Sequence, residues 1–157
     1  MKGIEFAAAI RPIDGWKFWG NVALTHARYV SFDFDGGSFS GNIPPNVAPL
    51  IVNVGASYRF LTPRWPVEVG ASVRHVGTRY LFDDNAVAMD AYTVADAYMF
   101  IDIDRLSMFP TMDSARITLR ARNLTNRIYA AWSDPGYPDQ VYLGAPRSFE
   151  GGVSFKF

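Results

Sequence analysis

The side chains best suited to catalysis are few in this chain, and their spacing does not assemble a reactive set. His26 and His75 are its only histidines, and neither has a nearby serine or carboxylate at a spacing that suggests a triad. The absence of cysteine excludes a disulfide framework, a thiolate metal site and a thiol nucleophile. We therefore expect no catalytic residue, no enzyme activity and no cofactor, and we interpret both histidines as structural.

Aspartates are the second group with possible chemistry, because carboxylate oxygens are calcium ligands. Asp33 and Asp35 lie in the run Asp-Phe-Asp-Gly-Gly, and Asp83, Asp84 and Asp90 form another group. The first group fails the EF-hand pattern, since no glutamate occupies the closing position, and no glycine motif could cradle a phosphate. We predict solvated loops at both places and no metal site.

Composition narrows the class of protein. The 157 residues fit one domain at most, and 15 basic side chains balance 15 acidic ones. With 49% hydrophobic residues, this argues against disorder, a coiled coil and nucleic-acid binding through a basic surface. Aromatic residues make up 15% of the chain. Many short strands, with rings lying outside one small core, would account for that content.

Alternation of apolar and polar residues with period two runs through most of the chain and predicts an all-β fold. Seven segments show it, at residues 3–11, 16–30, 50–60, 67–74, 92–104, 115–122 and 148–157. In residues 50–60, for example, Val52 and Val54 alternate with Asn53 and Gly55. Two residues break the pattern: Trp19 falls on the polar side of its segment, and Asp96 falls on the aromatic side of its own.

The connections between these segments alternate in length. Residues 12–15 and 61–64 form short turns, whereas residues 31–49, 79–91 and 130–146 form long stretches, and residues 105–114 are intermediate. Short turns on one side and long loops on the other are typical of an antiparallel outer-membrane β-barrel. Apolar and polar residues also alternate in the strands of a soluble β-sandwich, so alternation alone does not distinguish the two folds. The aromatic residues at the strand ends are stronger evidence for the membrane barrel. They resemble an interfacial girdle: Trp16, Phe18, Tyr58, Phe60, Phe155 and Phe157.

Seven strands do not close a bacterial barrel of the usual even-numbered kind. If the short turns are periplasmic, the first strand begins on the outer side, and no signal peptide precedes it. We therefore expect a C-terminal piece of a larger barrel, with Met1 not its natural start. The alternative is a small self-contained outer-membrane barrel with a structural or adhesive role.

The order of several short motifs resembles the C-terminal barrel region of TonB-dependent outer-membrane receptors, particularly those for ferric siderophores. The most specific parts are the run from Asn123-Leu124 to Tyr129 and the terminal Phe157. Thr125 departs from the family, which more often has an aromatic residue there. Further landmarks are Gly3-Ile4-Glu5, Asp14-Gly15-Trp16, Pro44-Pro45-Asn46, the run from Gly55 to Phe60, Val73-Arg74-His75-Val76-Gly77, Arg79-Tyr80, the run from Tyr92 to Asp96, and Gly144-Ala145-Pro146-Arg147.

The resemblance covers nearly the whole chain and implies both fold and function. Residues 1–157 would be the C-terminal portion of a larger barrel of the 22-stranded type, with the plug domain absent. The whole receptor would sit in the bacterial outer membrane and carry out energy-coupled uptake of a ferric siderophore. Contact with TonB would be made only through the missing N-terminal regions, and outer-membrane lipid would surround the barrel.

Two sets of residues follow from the resemblance. Arginine can meet an anionic iron chelate and aromatic faces can pack on it, so the expected ligand-binding residues are Arg79, Tyr80, Trp132 and Tyr137. Their alternative roles are loop anchoring or an upper aromatic girdle.

The terminal strand resembles the signal that the barrel-assembly machinery reads through strand pairing. The residues that form this signal are Phe149, Val153, Phe155 and Phe157.

Overall fold

The computed structural model describes residues 1–62, 65–104, 112–134, 136–137 and 140–157. Its main element is a sheet of seven antiparallel strands in which each strand pairs with the next one along the chain. The strands are β1 (Lys2–Ile10), β2 (Trp16–His26), β3 (Leu50–Phe60), β4 (Val67–Val76), β5 (Tyr92–Asp104), β6 (Ser114–Arg122) and β7 (Ser148–Lys156). The all-β prediction and the count of seven strands are confirmed.

Two strand ends differ from the prediction by more than one residue. β2 ends at His26 rather than Val30, because the chain turns away there and Tyr29 pairs through its backbone with Asn42 and Gly41. β4 continues past Arg74 to Val76, whose partners across the sheet are Ile51 and Tyr92. Backbone hydrogen bonds within loop A determine the first end, and pairing with Ile51 and Tyr92 determines the second.

Register divides the seven strands into two faces, because residues directly opposite each other in neighbouring strands point to the same side. Val54 lies opposite Gly20 and Val73, whereas Asn53 lies opposite Asn21 and Arg74. We call the side of Val54 the apolar face and the side of Asn53 the polar face. Most large residues of the apolar face are exposed, among them Ile4, Phe6, Leu24, Val54, Val73, Leu119, Phe149 and Val153.

The same register explains the two residues that broke the alternation. In β5 the rings of Tyr98 and Phe100 lie on the polar face together with Asp96, while Ala97 and Met99 continue the apolar face. Trp19 also lies on the polar face, opposite Gly55. A Cβ added to Gly55 would overlap the Trp19 indole, and one added to Gly70 would overlap the Tyr98 ring. These glycines make room for rings that lie across the neighbouring strand.

The connections place all long loops at one end of the sheet, which we call the loop end, and the short turns at the other, the turn end. Residues 11–15 form a tight turn in which Gly15 has a φ of 81°. Residues 63–64 and 105–111 lie outside the described part of the chain. The long loops are loop A (residues 27–49), loop B (residues 77–91) and loop C (residues 123–147).

Each long loop carries a short hairpin. They are Asp33–Phe34 with Gly37–Ser38 in loop A, Arg79–Tyr80 with Ala88–Met89 in loop B, and Ala130–Ser133 with Val141–Leu143 in loop C. Among the described residues no helix is long and apolar enough to cross a membrane.

Candidate functional site

The three long loops are seated on a small hydrophobic cluster at the loop end of the polar face. Val76 and Tyr92 lie directly opposite each other in β4 and β5, and they are buried with Val94 and with Ala48 of loop A. Tyr129 of loop C stacks on Tyr92 with ring centroids 4.0 Å apart. Burial is the largest factor that raises the pKa of the Tyr129 hydroxyl above its ordinary value. The bases of the loops are therefore packed, although their tips are exposed.

Arg79 joins loop B to loop C. Its side chain is only 5% exposed, and its two terminal nitrogens donate hydrogen bonds of 2.6 Å to the carbonyl oxygens of Ala130 and Ala131. The guanidinium carbon lies 5.5 Å from the centre of the Tyr92 ring, within the range of a cation–π contact. Its Nε is buried and has no partner among the described residues. This geometry is that of a loop anchor.

Asn46 joins loop A to both other loops. Its φ of 62° is left-handed, a conformation that asparagine tolerates better than most residues. The backbone N–H donates to the carbonyl oxygen of Tyr80 at 3.0 Å. The side-chain amide pairs with the backbone of Ser133, donating to its carbonyl oxygen at 2.8 Å and accepting from its N–H at 2.9 Å. Ser133 is fully buried at this junction.

A second asparagine makes the same kind of pair between loops A and B. Asn85, with a φ of 57°, accepts from the N–H of Ile43 at 2.8 Å and donates to its carbonyl oxygen at 2.7 Å. Beside it the Tyr29 hydroxyl donates to Asp83 Oδ1 at 2.6 Å. Burial, together with this hydrogen bond and the charge of Asp83, raises the pKa of Tyr29 to about 12.

The run from Asn123 to Tyr129, singled out from the sequence, opens loop C. The Asn123 N–H donates to Asp96 Oδ1 at 2.7 Å, which gives Asp96 a structural role on the polar face of β5. The Asn123 side chain accepts from the N–H of Arg127 and donates to the carbonyl oxygens of Arg127 and Ala145. Thr125 is exposed, so its departure from the family pattern leaves this hydrogen-bonded turn unaffected.

The predicted ligand-binding residues all lie in loops B and C, but they are not equally available. Arg79 is committed to the carbonyls described above, and Tyr80 beside it is half-buried. Trp132 is 44% exposed and its ring lies 5.3 Å from that of Tyr142 on the partner strand of its hairpin. Tyr137, near the tip of that hairpin, is exposed.

Between loops B and C lies a cavity of about 350 Å³ that the sequence did not predict. Its walls come from Leu81 and residues 87–92 on one side and from residues 127–130, Val141 and Leu143 on the other. They are mostly apolar, and the charged members are Arg127 and Asp90. A volume of this size suits a small organic group rather than a whole large ligand. Among the described residues, no group of three or more acidic or histidine side chains could hold a metal ion.

The polar face below the loops carries partly exposed ion pairs. Asp102 accepts from Arg59 at 3.1 Å and from Arg116 at 2.6 Å, and Arg122 lies 3.2 Å from Glu150. Because their side chains are accessible to water, each pair contributes at most about 1 kcal/mol. The face is therefore suited to water or to another polar surface.

Comparison with known proteins gives consistent matches. Residues 1–124 match the family model described as "TonB dependent receptor-like, beta-barrel". The ferrioxamine receptor of Yersinia enterocolitica is 27% identical over 158 residues, which covers 99% of this chain and 21% of that protein. The chain therefore spans about a fifth of the length of this curated relative.

Two solved structures share the fold. The ferric preacinetobactin receptor BauA from Acinetobacter baumannii superposes with a TM-score of 0.81 at 20% identity, covering 99% of this chain and 22% of its own. The siderophore receptor PiuA from the same organism gives a TM-score of 0.75 at 18% identity, covering 99% of this chain and 21% of its own. At these identities the likeness establishes the fold of the seven-stranded sheet.

Proposed function

Because the chain belongs to the TonB-dependent receptor-like β-barrel family, we propose that it forms the C-terminal wall, residues 1–157, of an outer-membrane receptor for ferric siderophores. The whole receptor takes up the iron chelate with energy supplied through TonB, which it contacts through regions outside this chain. The role of the chain is transport rather than catalysis. It contributes three long loops and seven strands, the last of which is the terminal assembly strand.

The observation that carries this proposal is the pair of unlike faces on one sheet. The apolar face exposes aliphatic and aromatic side chains on six of the seven strands, all but β5, whereas the polar face carries ion pairs. At its turn end the apolar face has close aromatic pairs, Trp16 with Phe18 at 5.4 Å and Tyr58 with Phe60 at 4.6 Å. Such a band suits the boundary between hydrocarbon and water. We infer that the apolar face contacts lipid and that the loop end faces the outside.

The names of the relatives support the substrate class. The relatives are described as receptors for ferrioxamine and for ferric preacinetobactin, and we extend this class of ligand, a ferric siderophore, to the present chain. Trp132, Tyr137 and Tyr80 are the proposed contacts, with the cavity between loops B and C as the place for an apolar group of the chelate. Arg79 is proposed to act as a positioning residue, since its hydrogen bonds hold the Ala130–Ser133 strand that carries Trp132.

The barrel-assembly machinery is a further proposed partner. β7 is an edge strand of the sheet, and Phe149, Val153, Phe155 and the following Phe157 expose their side chains on the apolar side. An unpaired edge offers backbone hydrogen bonds, and alternate side chains supply specificity. This arrangement supports the assembly signal expected from the sequence.

Uptake by the whole receptor tests the proposal. A bacterium whose own siderophore receptors have been deleted would be complemented with the receptor that contains this chain, and growth in low iron would be followed with a panel of ferric siderophores. We expect growth with at least one of them, and weaker binding of that chelate after Trp132→Ala. Phe34→Ala, which removes an exposed ring from loop A, is the matched control. A correctly inserted receptor that supports growth with no ferric siderophore would refute the proposal.

A further inference from the structure

Hydrogen bonds join each of the three long loops to both of the others. Loops A and B are joined by the Asn85 pair described above and by the Asn42 side chain, which donates to the carbonyl oxygen of Asp83 at 2.8 Å. Arg79 joins loops B and C, and Asn46 joins loops A and C. No loop of the three can therefore move away from the sheet by itself without breaking its contacts with two neighbours.

Asn46 is bonded to the backbone at two of the proposed siderophore contacts. Its N–H donates to the carbonyl oxygen of Tyr80 at 3.0 Å. Its side chain pairs with the backbone of Ser133, the residue that follows Trp132 in the loop C hairpin. Both the oxygen and the nitrogen of the side-chain amide are engaged by Ser133, which is fully buried. Asn46 therefore sets the spacing between Tyr80 and Trp132, and its amide is directed away from any ligand.

We propose that Asn46 is a positioning residue for siderophore binding, and that loops A, B and C bind the chelate as one preorganised unit rather than closing on it separately. A binding surface that is already ordered loses less conformational entropy when the ligand binds. Asn46 supplies this order between loop B and loop C, although it lies in loop A, 87 positions before Ser133. This inference rests on the proposed function, because it takes Tyr80 and Trp132 as contacts of the chelate.

The variant Asn46→Gly separates positioning from direct contact. Glycine adopts the φ of 62° freely and keeps the backbone donor to Tyr80, so only the side-chain pair with Ser133 is lost. The probe is the ferric siderophore that supports growth in the uptake assay above, and its binding to the whole receptor is followed by stopped-flow fluorescence. Loops that are in register for only part of the time reduce the fraction of receptor competent to bind. We expect affinity to fall about tenfold through the association rate constant, with the dissociation rate constant unchanged.

The matched control is Asn126→Gly. Asn126 also has a left-handed backbone, with a φ of 51°, but its side chain accepts only from the N–H of Arg147 within the same loop. This variant should change neither rate constant.

A distance measurement tests directly whether the loops move together. This chain has no cysteine, so Ser38→Cys in loop A and Gly136→Cys in loop C, both at exposed positions, can carry spin labels in the whole receptor once any cysteine outside this chain is replaced by serine. Pulsed electron paramagnetic resonance gives the distance between the labels with and without the gallium complex of the same siderophore, since gallium(III) is diamagnetic. We expect this distance to change by less than about 2 Å on binding, and its distribution to broaden in Asn46→Gly.

The outcomes separate this inference from the proposed function. Wild-type affinity in Asn46→Gly, a loss carried by faster dissociation, or a shift of more than about 2 Å between the labels on binding overturns the inference, while growth on the ferric siderophore preserves the proposed function. The distance measurement uses the receptor with Asn46 in place, so it decides the matter even if Asn46→Gly does not insert. If no ferric siderophore supports growth, the proposed function and this inference both fail.

Discussion

Two neighbouring substitutions in β3 test the assignment of the faces. Val54 is 48% exposed on the apolar face and has only Gly20 and Val73 opposite it, with no acidic or amide group in register. An arginine there near the bilayer midplane should lower the free energy of unfolding by about 2–4 kcal/mol. Asn53 points to the other side, opposite Asn21 and Arg74.

Asn53→Arg should therefore cost much less. Its side chain would enter a face that already holds Arg59 and Arg116, both paired with Asp102. The main penalty is the like charge of Arg74 directly across the strand, which is roughly 0.2–1 kcal/mol for such pairs. The two substitutions are one residue apart and insert the same side chain, so each is the control for the other.

The measurement is denaturant unfolding of the whole receptor folded into lipid vesicles. Val54→Met, which keeps an apolar side chain at the same place, should leave the free energy of unfolding within about 1.5 kcal/mol of the wild type. Equal costs for Val54→Arg and Asn53→Arg, or a larger cost at Asn53, would mean that the faces are assigned the wrong way round or that there is no bilayer.

Three further predictions concern the loops and the polar face. Asn46→Asp removes the donor to the Ser133 carbonyl and should cost about 1–3 kcal/mol, seen as faster amide exchange in residues 130–133, whereas Asn126→Asp keeps the acceptor for the Arg147 N–H and should change exchange little. Gly55→Ala should lower the free energy of unfolding by about 1–3 kcal/mol because its Cβ meets Trp19, while Gly152→Ala, which meets nothing within 4 Å, should not; equal effects would refute the role of Gly55. The pKa of Tyr29 is raised to about 12 from 10.0, so its contribution to stability should be complete below pH 10.0 and disappear as the pH rises through 12. The measurement is the pH dependence of the absorbance difference between the wild type and Tyr29→Phe. Asp83→Asn should move the pKa of Tyr29 towards its ordinary value.

The sheet was predictable from sequence because its determinants are local. Alternation along β3 fixes which of Asn53 and Val54 points to each side, and the short turns favour pairing of the strands that they join. Alternation put Trp19 and Tyr98 on the correct side but could not explain how such large rings fit there, since each ring occupies the space left by a glycine in the neighbouring strand, Gly55 or Gly70. That information lies in the pairing of neighbouring strands rather than in the local sequence of either strand.

The loop end was less predictable because its contacts join residues far apart in sequence. Asn46 and Ser133 are separated by 87 positions, and Asn85 and Ile43 by 42. What the sequence does contain is the residue type: five non-glycine residues have a positive φ, and four of these are asparagines. Three of those four, Asn46, Asn85 and Asn123, also use the side-chain amide as both donor and acceptor to one residue's backbone. At Asn46 and Asn85 a left-handed backbone conformation is therefore combined with a long-range hydrogen-bonded pair. Replacement by aspartate keeps a side chain that tolerates this conformation and removes the donor of the pair.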